Sequence, residues 1–137
     1  MKNIIKVVGA IIENENNEVL CSLPSKNMSI SKLWEFPGGE INDGENPEVA
    51  IVRKIKDTLN CTVKFESLFS ATTYEYEDYI LNLMVAKCSL VDGQPLPKDY
   101  LKLIWLPIEY IESLNWSQTD IPTVKKLVLK NSKKARI

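Results

Sequence analysis

The chain has 137 residues, 45% of them apolar and 26% charged, with a formal net charge of −1 and no histidine. That length suits one globular domain with one core and is too short for two, and the near-neutral charge argues against a general nucleic-acid binder, which needs a basic surface to displace counterions. Without histidine, Ser-His and Cys-His catalysis and most zinc sites fall away, leaving carboxylates, lysine, arginine, backbone dipoles or a hard metal ion to carry any chemistry.

Residues 4–12 alternate weakly between apolar and polar and predict a strand. Asn14-Glu15-Asn16-Asn17 is turn chemistry, because Asn tolerates left-handed backbone and bonds its own main chain. Residues 18–23 predict a second strand, so the two are expected to make an early hairpin. Residues 24–31 are polar and irregular and are expected to form a loop at the mouth of a site. A short strand over 33–36 is expected to stop at Pro37-Gly38-Gly39, with Trp34 a candidate for stacking on a ligand.

Pro47 fits the first turn of a helix, where its missing N–H costs nothing. Val52, Ile55 and Leu59, with Ile51 beside them, make one apolar stripe at helical spacing, and Asn60 is a left-handed stop. Residues 63–76 and 79–89 predict a long hairpin turning at Glu77-Asp78, with Tyr74, Tyr76 and Tyr79 on its exposed face and tip. A loop over 91–98, a last strand over 101–106 and a short helix over 108–114 follow. Asp120 can cap a final helix running to about residue 130, with Pro122 in its first turn. The domain is expected to span 1–130, followed by a basic tail over 131–137.

Strands dominate, with one central helix and helices near the end, so the expected fold class is α+β, a mixed sheet sandwiched between α-helices. Cys21, Cys61 and Cys88 are odd in number with no CxxC, which suits small core hydrophobes in a reduced compartment. The apolar run near the N-terminus is too short for a signal peptide, and no stretch reaches membrane-spanning length. A cytoplasmic protein without membrane partners is expected.

Residues 34–60, WEFPGGEINDGENPEVAIVRKIKDTLN, concentrate the chemistry. Two glycines let backbone approach a ligand closely and leave carbonyls free to face a cation. On the following helix, positions 54, 57 and 58 are three and four residues apart and are expected to share one face pointing away from the core. Carboxylates on such a face hold magnesium, which wants hard oxygen ligands and bridges phosphates. Arg53 can meet a phosphate or pair with Asp57.

These residues resemble the Nudix hydrolases, whose pattern is G-x5-E-x7-R-E-U-x-E-E-x-G-U with U a bulky aliphatic residue. Gly39, Glu45, Arg53 and Ile55 fit it. The resemblance extends over nearly the whole chain, through VVGAII, NENNEV, LWEFPGG and KLIWLPIEYI to TDIPTVKKL. It is strongest to the MutT branch, the CTP pyrophosphohydrolase-like and oxidised-guanine triphosphatase members. It implies the Nudix fold and a hydrolase that releases pyrophosphate from nucleoside triphosphates with magnesium or manganese. By the same resemblance Glu45, Arg53 and Asp57 would be catalytic. Gly38 through its carbonyl, Asp57 and Asp99 would hold the metal, and Glu35, Phe36, Gly39, Lys54 and Asp120 would bind the nucleotide, Asp120 at a base edge.

The chain departs from the pattern where the metal should sit. Lys54, Thr58 and Asn60 replace two glutamates and the late glycine, and Asp57 is a shortened glutamate. An E…EE face would carry three negative charges; Lys54, Asp57 and Thr58 together carry none. Lys54 is expected either to satisfy Asp57 or to bind a substrate phosphate itself. Leu23-Pro24 also stands where relatives usually have arginine. The resemblance therefore implies a hydrolase slowed by Lys54 and Thr58 that binds its metal weakly, or a nucleotide- or phosphate-ligand-binding module that no longer cleaves. Its ligand would be a nucleotide in either case, the protein a monomer or homodimer.

Overall fold

The computed structural model of the chain describes residues 2–24, 33–98 and 100–135. β1 (Asn3–Ile12) is an inner strand of a four-stranded sheet. It pairs antiparallel with β3 (Gly38–Glu40) and parallel with β5 (Tyr79–Asp92), and β4 (Thr62–Glu75) closes the edge antiparallel to β5. β2 (Glu18–Pro24) and β6 (Tyr100–Pro107) form a separate two-stranded antiparallel sheet. Two α-helices, α1 (Pro47–Leu59) and α2 (Ile121–Ala135), and a 3-10 helix at Ile108–Ser113 complete the fold.

Strand alternation distributes β1 between two cores. Val8, Ala10 and Ile12 meet Ile51, Ile55 and Leu59 of α1, whereas Ile11 meets Val85, Ile111, Val124 and Leu127 on the side of α2. The mixed sheet is thus sandwiched between helices, the α+β architecture expected. Cys21, Cys61 and Cys88 are buried free thiols within these cores. No helix among the described residues is long and apolar enough to cross a membrane.

The early hairpin is corrected. Its turn forms, with Asn14 Oδ1 accepting from the Asn16 and Glu18 N–H groups and Asn17 at φ 59. Only Glu13 and Val19 bridge across it, however, and the two strands join different sheets. Residues 8–12 and 19–22 are buried without interruption. A two-stranded hairpin would leave one face of each run wet, so each must be covered on both sides.

The strand expected at 33–36 is also moved. Trp34 and Glu35 make only isolated bridges, to Trp116 and Ser22, and the strand proper is Gly38–Glu40. A Cβ at Gly38 would collide with the Val8 carbonyl and the Gly9 backbone. Glycine is what lets β3 lie against β1. Trp34 packs at the edge of the second core, and the Phe36 ring lies 4.8 Å from that of Trp116, tilted by 33°.

α1 begins and ends as its sequence dictates. Asn46 Oδ1 accepts from the Glu48 N–H at 2.7 Å, Pro47 opens the first turn, and Asn60 at φ 54 donates its N–H to the Lys56 carbonyl. Its inner face is Ala50, Ile51, Ile55, Thr58 and Leu59, with Val52 only half-buried. The face expected to carry 54, 57 and 58 together is therefore split. Asp57 is exposed, Lys54 is half-buried, and Thr58 belongs to the core side, where its hydroxyl donates to the Lys54 carbonyl at 2.7 Å. The short helix after β6 is 3-10 rather than α, and α2 runs past residue 130 without a break.

Candidate functional site

A cleft of about 470 Å³ opens between β1, β3, the tip of the β4–β5 hairpin and the turn leading into α2. Its lining includes Glu35, Phe36, Gly38, Gly39, Tyr76, Tyr79, Tyr100, Ser117 and Asp120. Glu35, Phe36, Gly39 and Asp120 were expected to bind the nucleotide and Gly38 to hold a metal; all five line this cleft, whereas Lys54, also expected to bind the nucleotide, is not among its lining residues.

Residues 34–36 are pinned from both sides. Glu35 exchanges backbone hydrogen bonds with Ser22 at 2.9 and 3.0 Å, and the Ser22 hydroxyl donates to the Glu35 carbonyl at 2.6 Å. Trp34 bonds the backbone of Asn115 and Ser117. The Asp120 carboxylate accepts from the Ser117 hydroxyl and from the Phe36 N–H, tying the start of α2 to the same segment. Burial pushes Asp120 up to about 7, against the lowering effect of those two hydrogen bonds. Burial, with the Asp120 charge added, pushes Glu35 up to about 8. Both carboxyl groups of the cleft are thus raised toward neutrality, and a carboxyl group donates when protonated and accepts when ionised.

At the other end, Glu45, Arg53 and Asp57 also meet, but in a latch. Arg53 Nε and Nη2 donate to the two Glu45 oxygens at 2.7 and 2.8 Å, and Nη2 reaches the Glu40 carbonyl at 3.2 Å. Glu45 also accepts from the Asn42 N–H at 3.0 Å. The Arg53 bonds first, then that N–H, hold the Glu45 carboxyl down to about 2. Asp57 faces Arg53 Nη1 at 3.8 Å. The expected Lys54–Asp57 pair is therefore corrected: among the described residues Lys54 makes no ion pair, and its stem lies across Gly39.

Asp99 lies outside the described residues. Among the described residues no three carboxylates or thiols are grouped to hold a metal ion. Glu45 is occupied by Arg53, Thr58 is buried, and the Gly38 carbonyl faces the Tyr100 hydroxyl at 3.4 Å. The donor set of the described residues does not fit a resident divalent ion, which wants several hard oxygens.

Sequence reasoning missed several lining groups. Tyr76 and Tyr79 turn into the cleft instead of staying on the exposed tip, their rings stacked at 4.9 Å and the Tyr76 hydroxyl 3.0 Å from that of Thr119. Tyr100 takes the Gly38 N–H at 3.2 Å. The S-x-x-D spacing of Ser117 and Asp120 was the one local signal for that turn; the tyrosines carried none, because their placement depends on hairpin twist.

The NUDIX domain profile matches residues 7–129, and the chain belongs to the Nudix family. Nudix hydrolases act on pyrophosphate bonds and generally use a divalent metal. The chain is 31% identical over 127 residues to the 8-oxo-dGTP diphosphatase of Escherichia coli K12, covering 93% of this chain and 98% of the relative. It is 25% identical over 122 residues to the CTP pyrophosphohydrolase of the same strain, covering 89% and 90%. The solution structure of MutT, a Nudix hydrolase from methicillin-resistant Staphylococcus aureus 252, matches with a TM-score of 0.79 at 35% identity, covering 95% of this chain and 99% of that one.

Proposed function

We propose that this chain is a nucleotide-pool Nudix protein that takes a nucleoside triphosphate into the Glu35–Asp120 cleft and releases pyrophosphate slowly. The observation that carries the reading is a pair of carboxyl groups lining the cleft beside Phe36, Asp120 buried and Glu35 half-buried. A pair sharing protons near neutrality meets a base edge that offers a donor beside an acceptor, as cytosine does with its amino group and N3. An oxidised guanine presents a comparable edge. Phe36 and the stacked Tyr76 and Tyr79 supply flat apolar surface for the base. The two curated relatives, named for an oxidised guanine triphosphate and for CTP, support the same class.

The slow rate follows from the other end. Lys54 stands where the resemblance puts a glutamate that binds metal and acts as base. Losing a general base alone costs on the order of 10²–10⁴ in rate. Magnesium or manganese would be held weakly, with Asp57 and Asp99 as the remaining acidic candidates. The test is pyrophosphate and nucleoside monophosphate release from CTP, dCTP and 8-oxo-dGTP with magnesium or manganese. Slow release is expected from at least one of them. Lys54→Glu with Thr58→Glu should raise it by about two orders of magnitude. A wild type that neither binds nor cleaves any of the three nucleotides rejects the proposal.

A second reading, a binding module without catalysis, is favoured by the lysine stem lying across Gly39. It predicts tight nucleotide binding that ignores divalent metal, and no pyrophosphate release even from the double reversion.

A further inference from the structure

We infer that Lys54 is a built-in cation standing in for the divalent metal: its ammonium, folded onto Gly39, a residue that lines the cleft, binds the phosphates of a nucleoside polyphosphate directly, so that ligand binding needs no metal. This rests on the reading of the cleft as a nucleotide site and adds how the charged end of the ligand is held.

A Cβ at Gly39 would collide with Lys54 Cε and lie 3.0 Å from Nζ, so the side chain is folded onto the glycine. The Gly39 backbone lines the same cleft as Glu35 and Asp120. Lys54 sits three residues from Asp57, a spacing at which a helical lysine readily reaches a carboxylate. It does not do so; Asp57 faces Arg53 instead, and Glu45 is filled by Arg53 and the Asn42 N–H. The half-buried Lys54 side chain ends in an ammonium with three donors. Among the described residues no carboxylate forms an ion pair with it, although its charge helps to hold the Glu45 carboxyl down, and a phosphate arriving along Gly39 would supply the acceptors. Lysine binds phosphate as a point charge, so it needs no fixed fork geometry. The substitution that removes a metal ligand thereby installs the metal's charge.

The experiment is calorimetric titration of the full chain with inorganic tripolyphosphate and with CTP, each in EDTA and in excess magnesium. Both probes should bind in EDTA, and magnesium, which claims phosphate oxygens, should leave affinity unchanged or lower it. Lys54→Gln should weaken both by about 10–100-fold, the worth of a charged hydrogen bond. Gly39→Ala, whose methyl displaces only the flexible end of Lys54, should weaken both in the same direction while circular dichroism stays that of the wild type. Binding of neither probe in EDTA, or Lys54→Gln binding as tightly as wild type, overturns the inference. CTP binding that is insensitive to Lys54→Gln overturns it while leaving the nucleotide cleft intact. Tripolyphosphate binding that needs Lys54, with CTP no tighter and Glu35→Gln without effect, upholds the lysine site and rejects the nucleotide reading.

Discussion

Glu35 and Asp120 are carboxyl groups that the fold keeps protonated further up the pH scale than an unfolded chain would. Burial holds Glu35 up to about 8, against roughly 4.3 in a free peptide. Between those values the native state binds more protons than the unfolded state, so stability falls as pH rises through that window. The contribution is fully present below about pH 4 and is gone above about pH 8. Glu45 acts in the opposite sense and elsewhere: its carboxyl is held down to about 2, so its contribution is present above about pH 4 and is lost as pH falls towards 2. Urea unfolding between pH 5 and 8 should therefore show stability declining with pH. Glu35→Gln should flatten that decline and, at pH 8, stabilise the chain by on the order of 1–3 kcal/mol. An unchanged slope in the variant would mean that Glu35 is not the titrating group. The same variant should weaken the pH dependence of nucleotide affinity, leaving the part that Asp120 contributes, because its amide no longer gains or loses a proton.

At the scale of elements, the two adjacent glycines of β3 have opposite tolerances. An alanine methyl at Gly38 meets Val8 and Gly9 backbone, which cannot yield, whereas at Gly39 it meets only the far end of Lys54. Gly38→Ala is expected to cost about 3 kcal/mol or more, and Gly39→Ala to stay within about 1 kcal/mol, by thermal or urea unfolding. The caps of α1 give a second pair. Asn46→Ala removes the acceptor for the Glu48 N–H and should cost about 1 kcal/mol, while Asn60→Gly keeps the left-handed stop and should cost nothing or stabilise slightly. These helix ends were legible in the sequence, because a cap or a left-handed residue acts on groups within four positions of itself. The position of β3 was not. Trp34-Glu35-Phe36 has strand-like composition, yet the pairing falls on Gly38–Glu40, where the glycine at 38 lets the backbone lie against β1.

For the molecule as a whole, what the sequence concealed was pairing between distant segments. Leu20 lies opposite Trp105 in the second sheet, and β1 runs parallel to β5, contacts that no local pattern specifies. The gathering of Glu35, Phe36, Gly38, Gly39 and Asp120 was legible only through the family resemblance, because two segments about eighty residues apart supply them. Thr58 was misplaced because helical spacing fixes which residues share a face but not where the core begins on it. That boundary has a measurable consequence. Ile55, fully buried against β1, should cost about 2–5 kcal/mol when cut to alanine, a large share of the roughly 5–15 kcal/mol that holds a domain together. Thr58→Val keeps the shape of a buried side chain whose hydroxyl bonds only its own helix, and should change stability by no more than about 1 kcal/mol. Thr58→Glu puts a carboxylate into the same buried place, with only Lys54 one turn away to meet it, and is expected to cost more than Thr58→Val at neutral pH. Adding magnesium should recover part of that loss only if the new carboxylate reaches the cleft and closes a metal site with Lys54→Glu. Urea titrations of the single and double reversions, with and without magnesium, read that recovery directly, and a double variant indifferent to magnesium would leave Thr58 a core residue and nothing more.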